Sequence, residues 1–68
     1  MKRVKAYKVE YFGGPLNGAE RHYKDLSVAV RVAKSYLTRC REYPDYVGFW
    51  IWEVYDDYTK HRIMSESD

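Results

Sequence analysis

The sequence predicts an α+β domain of order ββαββ: a four-stranded antiparallel sheet with one helix packed on one face. Three observations predict it. Two segments, Val4 to Phe12 and Gly48 to Tyr55, are aromatic-rich and read as strands. One segment, Leu26 to Arg41, repeats apolar residues at spacings of three and four. Between the first strand and the helix stands Gly13-Gly14-Pro15-Leu16-Asn17-Gly18, which must reverse the chain.

In the first strand Tyr7, Val9 and Tyr11 fall on one face, and Lys8 and Glu10 on the other. Pro15 presets φ for the first corner of the turn, and Asn17-Gly18 tolerates the left-handed conformation that the return needs. Ala19 to Tyr23 is a short polar return strand. Asp25 or Ser27 supplies the N-cap of the helix. Its stripe is Leu26, Ala29, Val30, Ala33, Leu37 and Cys40, widened by Tyr36, and Pro44 ends the segment. Arg39 and Arg41 suit the helix C-terminus. After the third strand Asp56-Asp57 turns the chain into a charged fourth strand, Tyr58 to Met64. The polar second and fourth strands suit sheet edges, so the expected order is 2-1-3-4 with a right-handed crossover.

A chain of 68 residues holds one domain, expected over residues 1–64, with Ser65 to Asp68 as a disordered acidic tail. So small a core supplies roughly 3–5 kcal/mol net. Cys40 is the single cysteine, so no internal disulfide supports the core. Eight Tyr, two Trp and two Phe supply the packing area, or an interface, instead. The net charge of +2 permits nucleic acid without demanding it. Residues 1–9 have no h-region, and the apolar run Val47 to Trp52 is too short to span a bilayer. With a lone thiol, these features make the cytoplasm the expected compartment, and no membrane partner is expected.

One helix covers one face of a four-stranded sheet, yet the third strand is apolar on both. Trp50, Trp52 and Val54 alternate with Phe49, Ile51 and Tyr55, and only Glu53 interrupts. The uncharged set, Trp50, Trp52 and Val54, is expected to face the helix with Tyr7, Val9 and Tyr11. Phe49, Ile51, Glu53 and Tyr55 then form an open face for a protein partner. Arg31, Lys34 and Arg41, helped by Lys2, Arg3 and Lys5, are the nucleic-acid candidates, with the open-face aromatics as stacking groups. A third alternative is a self-associating protein, for example a homodimer, that closes its own apolar face.

No catalytic constellation is read. Cys40 lies on the apolar stripe as a buried thiol, and His22 and His61 sit in polar edge strands. Asp45, Glu53, Asp56 and Asp57 do not converge as a hard-cation site needs, and no Cys/His spacing suits zinc. The glycine-rich turn lacks the lysine and Ser/Thr of a phosphate loop and enters a strand. No metal or cofactor is expected.

Tyr11-Phe12-Gly13-Gly14-Pro15-Leu16-Asn17-Gly18, after a short aromatic strand, resembles the opening of many small bacteriophage proteins, which often read Gly-Gly-Pro-x-Asp-Gly. Asn17 stands here in place of the Asp. The match covers about eight residues, all of them turn, and carries no functional residue over. In size and architecture the chain is also similar to phage-encoded inhibitors of host proteins, including anti-defence proteins such as anti-CRISPRs. That likeness implies a non-enzymatic protein that binds and inhibits or modulates a protein partner in the host cytoplasm.

Overall fold

A computed structural model of the chain describes residues 3–42 and 47–67. Lys2, Pro44, Asp45 and Asp68, which figure in the sequence reading, lie outside them. The elements run β1 (Val4–Phe12), β2 (Glu20–Tyr23), α1 (Leu26–Arg39), β3 (Gly48–Tyr55) and β4 (Lys60–Ser67), with a 3-10 turn at Gly14–Leu16 before β2. The sheet order is β2-β1-β3-β4 and every neighbouring pair is antiparallel. Both expectations from the sequence, the ββαββ order and the central position of the two aromatic strands, hold.

The assignment of the two faces of β3 does not hold. Val9 pairs with Ile51 and Tyr11 with Phe49 across β1 and β3. Directly opposed residues share a face, so Phe49 and Ile51 join Val9 and Tyr11 beneath α1. There they pack with Ala29, Ala33, Tyr36 and Cys40, and Phe49 and Ile51 are fully buried. Trp50, Trp52 and Val54 point the other way. The register fixes this, and the polar atom of the indole agrees with it. Phe and Ile leave nothing unsatisfied under a helix, whereas each Trp must find a partner for its N–H. Absence of charge was the wrong criterion.

Helix α1 is capped as expected: the Asp25 carboxylate accepts from the Ser27 N–H at 2.9 Å and from its hydroxyl at 2.8 Å. At 14 residues it is about 21 Å long. It seals the end of the sheet that carries Tyr11, Val47 and Phe49. At the other end of the same face Tyr7, Tyr23, Glu53 and Tyr55 are only half-buried. Among the described residues no helix is long and apolar enough to cross a membrane.

The β1–β2 loop is tied to the helix by one side chain. The buried Tyr36 hydroxyl donates to the Gly13 carbonyl at 2.6 Å and accepts from the Leu16 N–H at 3.0 Å. Its ring meets Tyr11 edge-on at 4.7 Å. Asn17 (φ −51°, ψ 124°) and Gly18 (φ 81°) form a type II turn, closed by the Ala19 N–H on the Leu16 carbonyl at 2.8 Å. Of this pair, Gly18 takes the left-handed position. Asn17 instead uses its side-chain oxygen to accept from the Gly13 N–H at 2.8 Å.

Burial pushes the Tyr11 phenol up to about 12, with Tyr23 beside it adding to the shift. The neutral form is therefore the one folding favours. Stability is fully present below the unfolded value of about 10 and is lost as pH rises toward 12. A fall in the urea midpoint across that window, flattened in Tyr11→Phe, is the expected result.

The β3–β4 hairpin also departs from expectation. Its fourth strand begins later and ends later than the sequence suggested. Gly48, Phe49 and Trp50 pair with Ser67, Glu66 and Ser65, so residues 65–67 are strand and not a disordered tail. Long β3 offers unpaired backbone donors and acceptors there, and pairing satisfies them whatever the side chains are. At the hairpin tip Asp57 accepts from the Thr59 N–H and hydroxyl, and Tyr58 sits at φ 69°. A non-glycine residue there costs about 1–2 kcal/mol. Tyr58→Gly is expected to raise the free energy of unfolding, read from urea titration, by up to about 1 kcal/mol. The gain is held down by loss of the Lys5 contact, whose Nζ lies 4.5 Å from the Tyr58 ring.

Candidate functional site

The face of the sheet away from α1 is built by the period-two alternation of four strands. Register places Glu10 opposite Trp50, Lys8 opposite Trp52, Trp52 opposite Arg62 and Val54 opposite Lys60. On β1's other side Lys8 faces His22 and Glu10 faces Glu20. One row across the sheet therefore reads His22, Lys8, Trp52, Arg62. The next reads Glu20, Glu10, Trp50, Ser65.

Three aromatic rings run along this face. Phe12 meets Trp50 at 4.7 Å and Trp50 meets Trp52 at 5.9 Å, both edge-on. All three are half-buried. Cations lie over the indoles: Lys60 Nζ is 4.4 Å from the Trp52 ring centre, the Arg62 guanidinium 4.7 Å from Trp50, and Lys8 Nζ 5.9 Å from Trp52. The Trp52 indole N–H donates to the Glu10 carboxylate at 3.2 Å. These contacts hold the rings in place and leave the outer layer of the face to aliphatic stems and charged heads.

The charges on the face are unequally engaged. Lys8 is almost buried, and its ammonium donates to Glu20 at 2.8 Å. That hydrogen bond raises the Lys8 pKa against the desolvation that would lower it. The same bond, with the Lys8 charge, lowers Glu20. Glu10 is held by Trp52. Lys60 and Arg62 rest on rings, which do not neutralise them, so the uncompensated charge on this face is positive.

The sequence-derived site residues are dispersed by the fold. Phe49 and Ile51 are core and unavailable to a partner. Glu53 and Tyr55 lie on the helix side, at the end α1 does not reach. There the Tyr55 hydroxyl donates to Glu53 at 3.0 Å, and the carboxylate holds the phenol above its ordinary range. Arg31 and Lys34 are exposed on α1, and Arg41 lies in the turn beyond its last residue. This basic set is on the opposite side of the sheet from the exposed rings, so the two cannot grip one ligand together. Lys34 also shares a cleft of about 530 Å³ with Glu66, a poor neighbour for phosphate. Sequence reasoning missed Phe12, Trp50, Trp52, Lys60 and Arg62 as a unit. The signal that could have found them was the placement of Lys8 and Glu10 opposite Tyr7, Val9 and Tyr11.

Cys40 is a buried free thiol packed against the β1–β2 loop, and His22 and His61 are exposed in their edge strands. Among the described residues no three His, Cys, Asp or Glu side chains gather where they could hold a metal ion.

The fold and this face define a small two-layer α+β protein with an aromatic, cation-laced open sheet. No protein-family model, curated protein or solved structure matches the chain.

Proposed function

We propose that the chain is a small non-catalytic binding module that docks a protein partner on the open sheet face and, by occupying that partner, inhibits or modulates it. One observation carries the reading: Phe12, Trp50 and Trp52 form a continuous aromatic row on the side of the sheet that α1 does not cover. Trp and Arg are the residue types that dominate binding hot spots, and Arg62 lies on Trp50 at the middle of this row. The bipolar charge pattern, cations in one row and Glu10 and Glu20 in the next, would orient a partner of complementary pattern.

The test is capture of a partner from nuclease-treated lysate by tagged protein, comparing wild type with Trp52→Ala. The expected result is a protein retained in stoichiometric amount by the wild type and bound at least about 30-fold more weakly by the variant, as loss of a hot-spot residue implies. Equal retention by the two proteins would refute the assignment of the face. The cations over the indole rings favour single-stranded nucleic acid as a second reading, in which bases displace Lys60 and Arg62 from the rings. Capture that disappears with nuclease would select it. Solution mass that rises with concentration, with no partner captured, would select self-association.

A further inference from the structure

At one corner of the open face, beside the row that contains Trp52, lies a pocket of about 430 Å³ lined by Lys5, Ala6, His22, Tyr23 and Lys24. Three of the five lining residues are basic and none is acidic. The small side chain of Ala6 leaves the space. The register shift between Val4 and Ala6 makes Lys5 an extra residue in its strand, and such bulges re-aim side chains.

The nearby carboxylates are committed elsewhere. Glu20 is bound to Lys8 at 2.8 Å, and Asp25 caps α1 through Ser27. Lys5 stacks on Tyr58, which leaves its charge intact. Among the described residues no carboxylate forms an ion pair with Lys5, His22 or Lys24. The pocket therefore offers an unbalanced positive potential in a concave site, the arrangement that concentrates anions.

We infer that this pocket seats an acidic side chain of the protein that docks on the open face, an inference that rests on the reading of that face given above. A continuous polyanion fits less well. A nucleic-acid strand laid from the pocket along β1 and β2 meets Glu10 and Glu20 in the next row, which repel phosphate, whereas a single carboxylate meets only the basic corner. His22 and Trp52 are separated by Lys8 alone, two inter-strand spacings or about 10 Å. An extended peptide covers that distance in about three residues. The partner segment thus carries an acidic residue about three positions from the side chain that meets Trp52.

The experiment is an amide-resolved NMR titration of the whole chain with a capped Gly-Gly-Glu-Gly-Gly peptide, its counterpart with Gln in place of Glu, and the oligonucleotide (dT)6. Two variants accompany it: Lys24→Glu, which reverses one of the pocket's charges, and Ala6→Leu, which fills the space without changing charge. Saturating shifts centred on Ala6, His22, Tyr23 and Lys24 are expected with the glutamate peptide and not with the glutamine one, at least five-fold weaker in both variants. Shifts that do not saturate, or that persist unchanged in Ala6→Leu, would overturn the inference. They would leave the docking face standing, since that is judged by partner capture with Trp52→Ala. Tighter binding of (dT)6, moving these amides together with both indole N–H signals, would assign the corner to nucleic acid and overturn it as well.

Discussion

Ile51→Asp is expected to leave the chain unfolded. Ile51 is fully buried at the centre of β3, paired with Val9 and packed beneath Ala29 and Ala33. Truncation to Ala at such a site costs about 2–5 kcal/mol. A carboxylate there adds the desolvation of an unpaired charge, several kcal/mol more. A domain of this size holds roughly 3–5 kcal/mol net, so either term consumes most of it. Circular dichroism should show loss of structure for Ile51→Asp and a lowered but cooperative transition for Ile51→Val, by about 0.5–1.5 kcal/mol. Val54→Asp, three positions along β3 and on the open face, should remain folded, because Val54 is only half-buried. A folded Ile51→Asp protein that had merely lost its partner would return Ile51 to the docking surface and reverse the two faces.

The second large effect is expected at Gly14. Its φ of +67° already penalises any side chain. A Cβ there would stand 2.6 Å from the Tyr36 hydroxyl oxygen and 3.5 Å from the Cys40 sulfur. The hydroxyl has little freedom to retreat, because it is buried between the Gly13 carbonyl and the Leu16 N–H. Gly14→Ala should therefore cost the backbone strain of about 1–2 kcal/mol together with damage to hydrogen bonds worth about 1–3 kcal/mol. Tyr36→Phe isolates the second part. It leaves Gly13 and Leu16 without their side-chain partner, but it also removes the atom that collides. In a double-mutant cycle the two changes should cost clearly less together than the sum of each alone. Strict additivity would show that the loop gives way without engaging Tyr36.

Tyr36 also shows how the sequence can name a residue and still miss its task. The three-four spacing placed it at the margin of the helix stripe, as extra apolar width. In the fold its hydroxyl joins the helix to the Gly13–Leu16 loop, a role that depends on where two distant segments meet. The tail is a similar case. Ser65 to Asp68 read as a frayed tail because they are terminal and acidic, but β-pairing is a backbone interaction, and β3 extends far enough to pair residues 65–67.

Local physics, legible from the residues alone, determined the elements, a helix cap at Asp25 or Ser27, the reversing turn and the central place of β1 and β3. Periodicity, capping and turn chemistry act within a few positions, and the polarity of β2 and β4 sends them to the edges. The tertiary structure alone decided which side of β3 meets the helix. Strands β1 and β3 are joined through residues 13–47, so no tight turn sets their register, and a slip of one residue exchanges every side chain between faces. The pairing of Val9 with Ile51 made that choice, sent Phe49 and Ile51 inward, and left the two indoles with their cations on the outside.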